Sequence, residues 1–177
     1  MRTYSHAALG WAVARLANPS GGREGVWAAA GGVVPDLPAT AGAAWMGLRR
    51  HRLGRTAFRA RVCSRRLFAS PDAALHSALP VGVLALVSRS PGLRGPLSAF
   101  LMGWAGHVLA DALTHADDAR PVLWPVSGRR FRSPVSYWDR SHHARALTVV
   151  EHGALMLLAA WSTSRRLHPH PCGAQGS

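Results

Sequence analysis

An all-α fold, a single helical domain of about five or six apolar helices around a His/Asp metal site, is what this sequence predicts. Three observations carry the prediction. Apolar runs recur along the chain, alternation of period two is scarce, and three ionisable residues stand four apart inside the run Pro96 to Ala116. A length of 177 residues suits one domain. It is also enough to bury a core without disulfide staples.

The elements follow in chain order. Ser5 to Ala17 is expected to be helical, with Ser5 as N-cap and Asn18-Pro19-Ser20-Gly21-Gly22 as the stop. Val26 to Val34 reads as helical or extended and breaks at Pro35-Asp36-Leu37-Pro38, and Ala39 to Leu48 resumes a helix. Arg49 to Arg66 is a basic stretch, helical in part. Ser70-Pro71-Asp72 reads as a cap with proline at the first helical position, opening a helix that carries His76. Pro80 should kink or restart that helix. Ser90-Pro91-Gly92 is a turn, and Pro96 to Ala116 is the clearest helix. Asp117 to Ser136 is a loop rich in proline, arginine and aromatics, and Ser141 to Ser164 is the last helix. The helical metal-binding domain is expected over residues 1–166, with residues 167–177 a disordered tail.

Composition narrows the function. Hydrophobic residues make up 48% of the chain and charged residues only 16%, against about 25% in ordinary soluble domains. The formal charge is +13, and every basic residue is arginine. Codon bias can produce such a composition, so the excess need not be functional. A functional excess would point to anionic partners: nucleic acid, phospholipid or a phosphorylated substrate. Nucleic acid is the weaker expectation, since no zinc-finger, RNA-recognition or homeodomain pattern is present. Cys63 and Cys172 give neither a disulfide framework nor a Cys-x-x-Cys zinc pattern, so a reducing compartment is the default. No secretory signal peptide is expected. Val26 to Leu48, Leu97 to Thr114 and Ala146 to Trp161 are apolar enough to be read either as membrane segments or as buried helices. The expected localisation is therefore membrane or membrane-associated, otherwise cytoplasmic.

His107, Asp111 and His115 form the central signal. Residues four apart on an α-helix lie one above the other on one face, about 6 Å apart along the axis. A His–Asp pair at that spacing can grip a metal ion, and three ionisable groups on an otherwise apolar helix are hard to bury unless paired or metal-bound. Imidazole with carboxylate suits zinc, manganese or iron better than calcium, and zinc is the expected ion. The competing account is a buried His–Asp hydrogen bond with His115 capping the helix end. Four other segments offer ligands: His6; Asp36, held in a turn between Pro35 and Pro38; His76; and His143 with Asp139 and His142 nearby. Each has a plainer reading: an exposed terminal histidine, a helix N-cap, a core histidine bonded to a carbonyl, and solvated loop residues.

The order of these motifs is recognisable. His6, then Gly-Val-Val-Pro-Asp-Leu (Gly32 to Leu37), then His76-Ser77, then Gly106-His107-Val108-Leu109-Ala110-Asp111-Ala112-Leu113-Thr114, then Leu123-Trp124-Pro125, resembles the membrane-bound metal-dependent hydrolase family. These are inner-membrane proteins, some of them controlled by the DNA-damage response. The resemblance covers about residues 6 to 125. Pro38 stands where the family has a second acidic residue, and Leu75 where it often has threonine. A fainter resemblance is to zinc-dependent phospholipases C, helical proteins with a His-x-x-x-Asp pair on one helix. By that likeness His6, Asp36, His76, His107 and Asp111 would form one cluster for two or three ions.

A metal-dependent hydrolase is therefore the expected function, with a metal-activated water as nucleophile. His6, Asp36, His76, His107, Asp111 and His115 are the expected ligands, and Asp36 or Asp111 doubles as catalytic base. Arg129, Arg130 and Arg132 are expected to bind substrate, because guanidinium forks suit phosphate. That favours a small-molecule phosphoester or a phospholipid at a membrane. The alternative is a non-catalytic membrane-associated protein with a structural metal or a buried polar site.

Overall fold

The computed structural model describes residues 1–18, 22–49, 54–87 and 95–167, and every regular element among them is helical. α1 spans Thr3–Ala17 and α2 spans Glu24–Val33; a 3-10 turn over Val34–Asp36 then leads into α3, Leu37–Leu48. A single turn, α4 (Arg55–Phe58), runs into a π-helical stretch, Arg59–Cys63. α5 (Arg66–Leu75) and α6 (Ala78–Val87) follow, bent by 54° across His76 and Ser77. α7 (Pro96–Thr114) leads into a long loop holding a 3-10 turn at Arg140–His142, and α8 (Ala144–Leu167) closes the described chain. No strand forms among the described residues; Pro121 and Arg130 make one isolated antiparallel bridge.

The centre of the molecule is α1, α2 and α7 packed on one another. Small residues make the approach close. Ala14, Ala28 and Ala99, one from each helix, are buried together. Gly103 of α7 lies against the Ala28 carbonyl, and Gly32 of α2 against the His6 carbonyl; a Cβ at either would run into that oxygen. A second apolar cluster, Val81, Leu101, Trp104 and Val108, joins α6 to α7. There Trp104 Nε1 donates to the Leu75 carbonyl at 2.6 Å, which satisfies the indole and ties α7 to the end of α5.

Several boundaries differ from expectation, each for a local reason. α1 begins at Thr3, and Ser5 is buried inside it. The Arg2 carbonyl takes the Ser5 and His6 N–H groups, and Arg2 N–H is itself fixed on Glu151 of α8, so the helix starts a turn early. α5 begins at Arg66, leaving Pro71 inside it rather than at its start. The preceding turn is held from α3, where Trp45 meets the Phe68 ring and the Arg65 guanidinium. The break falls at His76–Ser77 rather than at Pro80. Pro80 lies in the first turn of α6, where no intrahelical partner exists for an N–H. α8 starts at Ala144 because Asp139 caps the 3-10 turn before it and His143 turns into the left-handed region at φ 64°. Residues 50–53 of the basic stretch, the Ser90-Pro91-Gly92 turn and residues 168–177 of the expected tail lie outside the described residues.

Of the apolar segments, Val26 to Leu48 is interrupted by the 3-10 turn. Among the described residues α8 is the one unbroken helix long and apolar enough to cross a membrane, over Ala144–Arg165, and only 6% of that stretch is buried.

Candidate metal centre

Four separate pieces of backbone deliver ligand atoms to one buried point. His6 comes from the second turn of α1, Asp36 from the 3-10 turn, His76 from the C-cap of α5, and His107 with Asp111 from one face of α7. Oδ1 of Asp111 lies 3.0 Å from His6 Nε2 and 3.2 Å from His115 Nε2. Its Oδ2 lies 3.5 Å from both His76 Nε2 and His107 Nε2. Oδ1 of Asp36 faces the same two imidazoles at 3.8 and 3.9 Å. The His6 and His107 rings stack with centroids 3.7 Å apart. The Met1 amino group lies 3.3 Å from Asp111 Oδ1.

The outer nitrogens decide what the inner ones offer. His107 Nδ1 is 2.7 Å from the Gly32 carbonyl, and His76 Nδ1 is 2.8 Å from the Asp72 carbonyl. A carbonyl only accepts, so each Nδ1 carries the proton and each Nε2 of the neutral ring presents a lone pair. Those two Nε2 atoms face each other at 3.2 Å. Two lone pairs at that distance repel unless a cation stands between them. His115 is likewise fixed at its far nitrogen, where Nδ1 donates to Asp118 Oδ2 at 2.9 Å, but its Nε2 faces the Asp111 carboxylate at 3.2 Å. Fixing the far nitrogen on a carbonyl or carboxylate is how proteins orient metal-ligating histidines. His6 is fully buried, yet neither ring nitrogen makes a hydrogen bond of acceptable geometry, although Nε2 approaches Asp111. A buried ring nitrogen that lacks a well-aligned hydrogen bond is costly, and an ion on Nε2 would relieve it there.

Electrostatics agree with this reading. Burial alone pushes the Asp111 carboxyl up, but the imidazoles of His107, His115, His6 and His76 outweigh it and hold the group well below the usual carboxylate range. Asp111 is thus ionised at neutral pH. Burial lowers the His6 pKa, favouring the neutral ring that can bind metal. His115 is also buried, but Asp111 and Asp118 together raise its pKa. Two sets of ligand atoms can each close around an ion, His6 with His107 and Asp111, and Asp36 with His76 and His107; within each set the atoms lie within 4.8 Å of one another. Nitrogen and carboxylate donors in this mixture fit a divalent transition metal or zinc.

Five expected ligands, His6, Asp36, His76, His107 and Asp111, are therefore brought together. Asp36 holds the N-cap position of α3 but makes no cap with its side chain; its Oδ2 takes the Thr3 hydroxyl at 2.5 Å instead. His115 is the C-cap of α7, extended at φ −123° and ψ 130°, and its Nε2 still meets Asp111 Oδ1, four residues back, at 3.2 Å. It belongs to neither closing set, but it flanks Asp111 from outside the helix. Asp139 and His142 pair with each other at 3.0 Å in a partly exposed turn, and neither belongs to a closing set. Arg129, Arg130 and Arg132 are exposed. Their loop is pinned to the end of α7, where Ser133 N–H donates to the His115 carbonyl and Ser133 Oγ to the Leu113 carbonyl.

Sequence reasoning missed the layer behind the ligands. Asp72 was expected only as a helix cap, and Asp118, Arg120 and Thr3 carried no expectation. The spacing His115-x-x-Asp118 was the available signal for one of them. Ser77 gains a role here too: its hydroxyl lies 3.0 and 2.8 Å from the Val122 and Trp124 carbonyls and holds the Leu123-Trp124-Pro125 loop beside His76.

Comparison with known proteins gives no match: no family model, no curated protein and no solved structure is similar to this chain. The class defined by fold and site is thus a helical protein with a buried His/Asp cluster able to hold a metal ion.

Proposed function

We propose that this chain is a membrane-associated, metal-dependent hydrolase of a phosphoester or phospholipid, with zinc as its ion. The observation that carries the reading is the pair of inward lone pairs, on His76 and His107, set between the carboxylates of Asp36 and Asp111. When bound, such an ion lowers the pKa of water into the neutral range and polarises the bond to be cleaved. The chain's own groups divide the remaining work. Asp111, enclosed by imidazoles, serves as ligand. The Asp36 side chain is more exposed, 18% against 10% for Asp111, which supports giving it the role of proton acceptor from water. Arg129, Arg130 and Arg132 would meet the phosphate, since each guanidinium offers a planar fork of donors.

Membrane association rests on the apolar surface. Along α8, Val149, Val150, Met156 and Leu157 are all exposed. Arg145 stands near one end of the apolar stretch and Arg165 near the other, the latter over the Trp161 ring. Arginine and tryptophan at helix ends suit the headgroup region.

Elemental mass spectrometry of the purified protein, beside the His107→Ala, Asp111→Ala double variant, tests the metal. Zinc, manganese or iron at one equivalent or more, lost in the variant, supports the reading and leads to phosphoester screening. A variant that keeps its metal sinks the ligand assignment. A wild-type protein that takes up none after reconstitution leaves a buried polar cluster in a non-catalytic protein.

A further inference from the structure

Arg120 lies in the loop after α7 and touches none of the ligand atoms, yet it joins the two supports behind them. Its guanidinium grips the Asp72 carboxylate through two nitrogens, Nε to Oδ2 at 2.9 Å and Nη2 to Oδ1 at 3.3 Å. Its third nitrogen, Nη1, donates to the Asp118 carbonyl at 3.4 Å. Asp72 is the residue whose carbonyl holds His76 Nδ1, and its Oδ1 lies 3.7 Å from the same nitrogen. Asp118 is the residue whose carboxylate holds His115 Nδ1. His76 and His115 meet different oxygens of Asp111, Oδ2 at 3.5 Å and Oδ1 at 3.2 Å.

We propose that Arg120 is a positioning residue for the metal centre: by bridging Asp72 and Asp118 it fixes His76 and His115 on the two oxygens of Asp111. The proposal rests on the metal reading given above. The physical case is geometric. His76 is a C-cap and His115 the first residue beyond α7, so neither sits within a regular helix that would fix its ring. Both rings are oriented by a single outer hydrogen bond. The residues supplying those bonds are on different elements, α5 and the loop, and the Arg120 fork sets their separation. Its side chain is only 24% exposed, so the pair is shielded from full solvent competition. Lysine would keep the charge but could not form the planar two-point grip.

Cobalt(II) binding reads this directly, because its visible absorption reports ligand geometry. Wild-type protein, Arg120→Ala and Arg120→Lys are titrated with cobalt(II) alone, with helical circular dichroism as the folding control. Losing an outer partner of a metal ligand typically weakens binding about 10- to 100-fold. Arg120→Ala is expected to show a loss of that order with an altered band shape, and Arg120→Lys an intermediate loss. If Arg120→Ala does not fold, Arg120→Lys carries the test. Unchanged cobalt affinity and spectrum in a folded Arg120 variant overturn the proposal while leaving the metal reading intact. A wild-type chain that binds no cobalt removes both.

Discussion

Asp36 and Asp111 are two carboxylates in one cluster, and their surroundings divide their tasks. Asp111 has imidazole nitrogens on both oxygens, whereas Asp36 has imidazoles on one oxygen and the Thr3 hydroxyl on the other. Replacing either by asparagine keeps shape and removes charge. Asp111→Asn is expected to lose bound metal. Asp36→Asn is expected to keep most of its metal and lose hydrolysis by about 10²- to 10⁴-fold, the range general-base catalysis supplies. Metal content and phosphoester turnover measured on the same preparations check this; equal metal loss in both variants would make Asp36 a ligand of the same rank. At this scale the sequence was partly legible. His107 and Asp111 could be placed together because the helix period alone brings residues four apart to one face. His115 has the same spacing from Asp111, but its position depends on where the helix stops. That is decided by the loop bonded to it, through Ser133 on the His115 carbonyl and Tyr137 N–H on the Thr114 carbonyl.

At the scale of the element, glycines set how near the ligand-bearing helices come. α7 carries Gly103, pressed on the Ala28 carbonyl, and Gly106, with nothing within 4 Å of a would-be Cβ. Gly103→Ala forces α2 and α7 apart and is expected to cost about 1–3 kcal/mol, the usual range for overpacking. Gly106→Ala, on the same helix, is expected to be neutral or to stabilise by up to about 1 kcal/mol through helix propensity. Denaturant unfolding of the two variants separates these effects. Equal behaviour would mean that the helices adjust freely at Gly103. Helix positions were largely legible from apolar runs and breakers. Their ends were less so: Ser5 and Ser70-Pro71 looked like starts, and both lie inside helices. Capping chemistry is local, while the hydrogen bond from Arg2 N–H to Glu151 and the ring contact of Trp45 with Phe68 join distant parts of the chain.

For the molecule as a whole, the arrangement places a polar cluster inside α1, α2 and α7 and leaves apolar side chains outside. Leu9 and Val13 of α1, Val83 and Leu86 of α6 and Val149 and Met156 of α8 are all exposed. If α8 enters a bilayer, a charge in its middle is expensive, about 2.5–3.5 kcal/mol at a helix centre. The full chain is expected to float with phospholipid vesicles in a density gradient. The Met156→Asp, Leu157→Asp variant should float less while keeping its metal. A wild-type chain that stays monodisperse without detergent and does not float refutes the membrane part and leaves the metal cluster untouched.

The sequence by itself determined that the chain is helical, that His107 and Asp111 share a face, and that His6, Asp36 and His76 are ligand candidates. These follow from periodicity, from breakers such as Pro35 and Pro38, and from the cost of ionisable groups in apolar runs. Only the tertiary structure decided that the five meet, which nitrogen of each histidine points inward, and that Asp72, Asp118 and Arg120 stand behind them. The reason is that an imidazole offers two chemically similar nitrogens. Which one is free depends on a carbonyl or carboxylate brought up by another element: Gly32 for His107, the end of α5 for His76 and the loop after α7 for His115.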